Sequence, residues 1–195
     1  MIPLPFTWPA LLPFWTAFVW AFVAEGPIAR RDGLGGGTAV DQHSKRLILV
    51  AGTLATLSAF FVATVLRQFS VATGRRVMYA AGIVCLVAGG QLRRHCFRML
   101  GDSFTYDVRV RAGQAVVERG AYRYVRHPSY AAGLLLFGGV GLALTNWLSL
   151  VAALLLPALA YVYRISVEER ALLETLGPAY ARYMKRTKRL VPFVI

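Results

Sequence analysis

The sequence predicts an all-α, polytopic membrane protein of about five transmembrane helices, closing with a helical hairpin and an amphipathic tail. Three observations predict it. Hydrophobic residues make up 57% of the 195 and charged residues only 16%, too apolar a mixture for an ordinary soluble domain. The apolar residues gather in blocks near the ~20 residues that cross a bilayer as helix. The basic residues sit in the loops between those blocks, the pattern of the positive-inside rule. The length fits a single domain over 1–195, with three membrane helices in 1–92 and a polar-decorated core in 93–195.

The first helix covers about 11–24, after an irregular start set by Pro3, Pro5, Pro9 and Pro13. It lacks a basic flank, so it reads as a retained helix and not a cleaved signal. The loop at 25–45 holds Arg30, Arg31 and a run from Gly33 to Gly37. Without the Lys-Ser/Thr of a phosphate loop, that run reads as a flexible linker. The second helix is about 46–66, and Gly74, Arg75 and Arg76 mark the next turn. The third is about 77–91, with an amphipathic extension through Met99.

The segment 93–126 is the one substantial polar stretch and contains eight arginines. Gly101-Asp102-Ser103 and Arg111-Ala-Gly113 read as turns, and Val108-Arg-Val110 as a short extended piece. The fourth helix starts at His127/Pro128, where proline suits the first turn, and runs to about 144. Thr145-Asn146 is the turn. The fifth helix covers about 147–164, with a kink expected at Pro157. From Glu168 to Lys185, Leu172, Leu173, Leu176, Tyr180 and Tyr183 recur near helical spacing. Gly177-Pro178 divides that stretch into two short helices.

The net charge of +13 does not indicate nucleic acid, because the cations line loops beside apolar spans and suit anionic headgroups. With five spans, the loop at 25–46, the segment 93–126 and the tail share one side and hold 4, 8 and 7 of the 22 basic residues. Only Arg67, Arg75 and Arg76 fall opposite. The rich side is therefore expected to be cytoplasmic. Cys85 and Cys96 form neither a metal spacing nor a disulfide framework. His43, His95 and His127 are too scattered for a metal site.

Two polar clusters stand out. Gly120-Ala-Tyr-Arg-Tyr-Val-Arg-His127-Pro128-Ser-Tyr130 lies at the mouth of the fourth helix, and Arg164-Ile-Ser-Val-Glu168-Glu169 leaves the fifth. A tight hairpin brings both to one membrane face, where such a concentration of polar groups marks a site. Arg164 and Glu168 are four apart and share a helix face. Alone they read as a salt bridge, and Glu168-Glu169 as complement to a helix N-terminus. Joined by His127, Tyr122 and Tyr130, they suit a ligand: carboxylate and rings for a cation, the helix start at Pro128 for an anion, Arg164 for a carboxylate or phosphate. A zwitterionic sulfonium cofactor beside an anionic lipid-like substrate would use them all. His127 reads as hydrogen-bonded structure, Lys185, Arg186, Lys188 and Arg189 as a membrane-surface anchor, and Tyr180 and Tyr183 as interfacial aromatics. Gly138, Gly139 and Gly141 allow close helix packing, within or between chains, so the oligomeric state stays open.

These residues resemble a known family. Gly101-Asp-Ser-Phe-Thr, Val117-Glu-Arg-Gly120-Ala-Tyr122, Arg126-His-Pro-Ser-Tyr130, Asn146, Glu168-Glu169, Gly177-Pro-Ala-Tyr180-Ala-Arg-Tyr183 and Arg189-Leu-Val-Pro192 follow in the order and spacing of integral-membrane isoprenylcysteine carboxyl methyltransferases. The resemblance covers about 100–192. It implies an S-adenosylmethionine-dependent enzyme, yielding S-adenosylhomocysteine, with its cofactor pocket at the cytoplasmic interface. It implies cofactor contacts from Gln114, Ala115, Val116, Val117, Tyr122, His127, Pro128, Ser129, Tyr130 and Glu168, the last on the amino group. Gln114 stands where some members carry histidine. It places Arg164 on the substrate side, with Arg164 and Glu168 as the catalytic pair. The acceptor is a lipid-like or prenylated carboxylate. Lipid N-methylation is the alternative, with Glu169 as its candidate base; a nicotinamide-dependent membrane reductase and a non-enzymatic membrane protein rank below.

Overall fold

The computed structural model describes residues 1–23, 44–101 and 116–190. Among the described residues, six helices carry the architecture: α1 (Leu11–Val23), α2 (Ser44–Val65), α3 (Arg75–Leu100), α4 (Pro128–Ala143), α5 (Trp147–Leu176) and α6 (Pro178–Arg186). Short 3₁₀ turns at Leu4–Phe6, Arg67–Phe69 and Gly120–Arg123 join them. The described residues form no strand beyond two isolated bridges. The Gly33–Gly37 run, Asp102-Ser103, Val108–Val110, Arg111-Ala-Gly113, Gln114, Ala115 and Pro192 lie outside the described residues.

Helix α4 is the central element and touches α1, α2, α3 and α5. Its glycines explain the tightness of the bundle. A Cβ on Gly82 of α3 would sit 2.7 Å from the Gly139 carbonyl oxygen, and one on Gly139 would sit 2.9 Å from that of Gly82. The backbones of α3 and α4 therefore meet with no side chain between them. Gly141 similarly lies against Leu150 of α5. The glycine patch is thus used inside this chain.

Helix α1 runs parallel to α3. The Tyr79 hydroxyl donates to the Ala10 carbonyl, and Arg94 donates to that of Trp20 while stacking on the Trp20 ring at 3.6 Å. Phe14, Trp15 and Phe18 pack on Phe60 of α2, with Trp15 and Phe60 stacked at 5.7 Å. These rings join Leu86, Leu136, Val140 and Leu144 in the main core.

Successive helices alternate in direction, so the loops collect at two ends. At the far end, Val71 N–H donates to Thr145 O at 2.9 Å and Asn146 Nδ2 to Leu66 O at 3.0 Å. Ser44, Arg93, Arg126–Tyr130 and Arg164–Glu169 share the other end. Two helices, Ser44–Val65 and Trp147–Leu176, are long and apolar enough to cross a bilayer. They turn Leu49, Leu57, Phe61, Val151, Leu155 and Leu159 outward, all exposed.

One helix keeps the extension expected for it and another outruns its expected bound. Helix α3 continues to Leu100, where Gly101 closes it at φ +52°. Helix α5 does not stop at 164 but runs on to Leu176. Nothing in Ile165-Ser-Val breaks a helix, so Glu168 and Glu169 are interior residues. The dipole reading for them therefore fails. The break at Gly177-Pro178 is present: Gly177 has φ +53° and Pro178 begins α6. At 30 residues, α5 is about 45 Å long against ~30 Å of hydrocarbon. Its polar last third projects past the apolar run.

Candidate active site

Proline at its first position starts α4 directly after His127, and Gly120 fixes the approach to it. Gly120 has φ +59°, and a Cβ there would sit 3.0 Å from His95 Nε2 and 3.3 Å from Met99 Cγ. Only glycine lets the 120–123 turn lie down on the end of α3 in this conformation. The turn buries Tyr122. The Tyr122 hydroxyl is buried beside the Ser129 side chain and the Cys96 thiol, with neither in full hydrogen-bonding geometry. Burial pushes its acidity well down, so it remains a neutral donor.

Arg164 and Glu168 lie on one face of α5, linked through Tyr130 of α4. Arg164 Nε donates to Tyr130 Oη at 3.1 Å, and Tyr130 Oη donates to Glu168 Oε2 at 2.7 Å. Arg164 is buried and also donates to the Ser44 hydroxyl at the start of α2. Tyr130 lies between two rings, His127 at 5.6 Å and Tyr161 at 5.0 Å. Arg93 of α3 donates to the Ser129 carbonyl at 3.2 Å and secures the first turn of α4.

The adjacent carboxylates have separate environments. The Glu168 side chain is 29% exposed, with His127 Nδ1 at 3.9 Å. That of Glu169 is 4% exposed and takes Arg126 Nε at 2.7 Å, His127 Nε2 at 3.2 Å and Arg189 Nη2 at 2.9 Å. Since a carboxylate only accepts, Nε2 of His127 carries the proton toward Glu169.

Of the expected residues, Tyr122, His127, Pro128, Ser129, Tyr130, Arg164 and Glu168 gather at this end of the bundle. Val116 and Val117 enter it as chain without regular structure. Gln114 and Ala115 lie outside the described residues. Three expectations change. Glu169, the candidate base, is committed to two arginines and a histidine. Arg189, read as a surface anchor, reaches into the site to hold it. Tyr183 is also more than an interfacial aromatic. Its hydroxyl donates to the Tyr122 carbonyl at 2.6 Å, and burial pushes its pKa up to about 12, so the donor stays neutral. Sequence reasoning missed the roles of Arg126, Arg189, Tyr161 and Ser44. Only Arg126 carried a signal, by its place beside His127.

Among known proteins, this chain is similar to protein-S-isoprenylcysteine O-methyltransferase B of Arabidopsis thaliana, 31% identical over 115 residues covering 58% of each chain. It is similar to the Saccharomyces cerevisiae protein-S-isoprenylcysteine O-methyltransferase, 28% identical over 131 residues, 66% of this chain and 55% of that one. The chain thus spans little more than half the length of these relatives. A solved structure of the eukaryotic intramembrane Ras methyltransferase, isoprenylcysteine carboxyl methyltransferase, aligns with a TM-score of 0.58 at 21% identity. The alignment covers 95% of this chain and 63% of that one, and the likeness establishes the fold. The profile of the phospholipid methyltransferase family matches residues 77–179, a stretch that begins in α3, takes in the whole α4–α5 hairpin with both polar clusters, and exceeds half the sequence. The chain belongs to the phospholipid methyltransferase family.

Proposed function

We propose that this protein is an S-adenosylmethionine-dependent methyltransferase that esterifies the carboxylate of an isoprenylcysteine-type, lipid-like acceptor. In this reading all five long helices cross the membrane, and the site faces the cytoplasm among anionic lipids. The observation that carries it is the pairing of a part-exposed carboxylate, Glu168, with Arg164 through Tyr130, beside the buried Tyr122 hydroxyl. These groups fit the cofactor. An acid takes its amino group, aromatic faces of His127 and Tyr130 take a cationic centre, and the buried, neutral Tyr122 hydroxyl is a donor beside them. Val116, Val117, Pro128 and Ser129 line the same site, with Gln114 and Ala115 preceding them.

When bound, S-adenosylmethionine supplies a methyl group activated by its positively charged sulfur. The chain's own work is alignment and exclusion of water. A carboxylate acceptor is nucleophilic at neutral pH and asks for no base, so orientation is the main contribution. Arg164 orients that carboxylate, and its ties to Tyr130 and Ser44 hold it at a set distance. A drier pocket favours the neutralisation of charge that accompanies transfer.

The family's phospholipid members raise lipid N-methylation as a second reading. An amine acceptor must lose a proton, and Glu169, the base available for it, is saturated by Arg126, His127 and Arg189. That saturation, with the named relatives, favours the ester. The test is calorimetric titration of S-adenosylmethionine and S-adenosylhomocysteine into the protein in lipid nanodiscs, with NADPH as control. Saturable adenosyl binding lost in Glu168→Ala supports the reading. Its absence from folded protein overturns it, and NADPH binding would promote a reductase. Release of the transferred methyl by alkali separates ester from N-methyl product.

A further inference from the structure

The segment after α6 is built into the site and not laid beside it. Arg126 N–H donates to Lys188 O at 2.7 Å, His127 N–H to Arg189 O at 2.9 Å, and Lys188 N–H to Tyr124 O at 3.3 Å. These bonds make a short parallel ladder, with Val125 paired to Lys188. Arg126 Nη1 also caps the end of α6, donating to Met184 O at 3.1 Å and to Thr187 O. Helix α6 contributes Tyr183, whose hydroxyl holds the Tyr122 carbonyl. Three side chains from two separate segments then converge on the Glu169 carboxylate: Arg126 and His127 from the turn before α4, Arg189 from the strap.

We propose that Glu169 is a positioning residue: with Arg126 and Arg189 it forms a clasp that fastens the 187–190 strap across the 122–130 edge and so sets the geometry of the cofactor site. The inference rests on the methyltransferase reading. Glu169 faces the clasp and not the ligand. His127 is the point of transmission. One ring nitrogen is fixed by Glu169, which turns the other toward Glu168 and sets the plane of the ring stacked on Tyr130. A buried carboxylate held by two arginines and a histidine is costly to disturb, because removing it strands the guanidinium charges. Arg189, by contrast, is half exposed, so its removal loosens the strap without emptying the core.

The test compares wild type with Glu169→Gln, Glu169→Asp and Arg189→Ala in nanodiscs. S-adenosylhomocysteine affinity is read by calorimetry, and exchange of the Arg126 and His127 amides by hydrogen–deuterium exchange without ligand. Charge-assisted bonds of this kind predict that Glu169→Gln and Arg189→Ala each raise the dissociation constant about tenfold or more. Glu169→Asp should recover part of that loss. In Arg189→Ala the two amides should exchange faster while the unfolding midpoint stays near wild type. A merely structural residue would move the midpoint and would not single out those amides. If wild type binds and Arg189→Ala binds equally well with its amides still protected, the clasp is overturned and the methyltransferase reading survives. If wild type itself does not bind, both fall together.

Discussion

Tyr130 carries two hydrogen bonds of opposite sense, accepting from Arg164 and donating to Glu168. Its hydroxyl therefore couples the group assigned to the acceptor with the group assigned to the cofactor. Tyr130→Phe keeps the ring between His127 and Tyr161 and removes only that coupling. A bond to a charged partner contributes about 1.5–3 kcal/mol. Turnover, read well below the unfolding midpoint, should therefore fall about tenfold or more in steady-state assays, alongside a lower midpoint. Glu168→Ala and His127→Ala should both weaken S-adenosylhomocysteine binding in calorimetry, whereas Arg164→Ala should retain binding and lose turnover. Retained affinity in both of the first two variants would contradict the site assignment. The Arg164/Glu168 pairing was legible because i, i+4 spacing is a local rule. The Glu169 clasp was not. Its members stand 43 and 20 positions apart in sequence, and no periodicity links a loop arginine, a helix glutamate and a tail arginine.

Helix bounds show the same division between local and distant causes. The Gly177-Pro178 break was readable because both residues act on their own backbone. The continuation of α5 through 165–176 was obscured by the change from apolar to polar residues, which marks the end of a span and not of a helix. At the far end of the hairpin, Asn146 serves two elements at once. Its side chain accepts from Ser149 N–H at 3.1 Å, capping α5, and donates to Leu66 O at 3.0 Å, tying the turn after α2. It is fully buried. Asn146→Ala loses a helix cap, typically ~1 kcal/mol, and leaves the Leu66 carbonyl without this donor, about 1–3 kcal/mol more. Thermal unfolding in nanodiscs should show a clear drop in midpoint. Cofactor affinity, read well below that midpoint, should be unchanged, because the site lies at the opposite end of the bundle. Gly139→Leu should destabilise by about 1–3 kcal/mol or more through overpacking, since its side chain would meet the Gly82 carbonyl and Leu86.

At the scale of the molecule, alternating helix directions separate two faces of unequal charge. One end carries Arg67 and Arg75; the other carries the turn before α4, the polar end of α5 and the basic α6 strap. A bilayer reads that asymmetry, because translocating short, cation-rich loops is disfavoured. The site end should therefore face the cytoplasm, the side on which a soluble adenosyl cofactor is available. Single-cysteine labelling checks this directly. In a background with Cys85 and Cys96 replaced by alanine, Lys188→Cys and Thr73→Cys put a thiol at an exposed position on each end. A membrane-impermeant maleimide applied outside intact cells should label the cysteine at 73 and spare the one at 188 until the membrane is opened. Labelling of both from outside, or the reverse pattern, would break the five-span topology or its orientation. Either result would also remove the charge argument, since the cations of the strap would then have to be explained by the clasp alone.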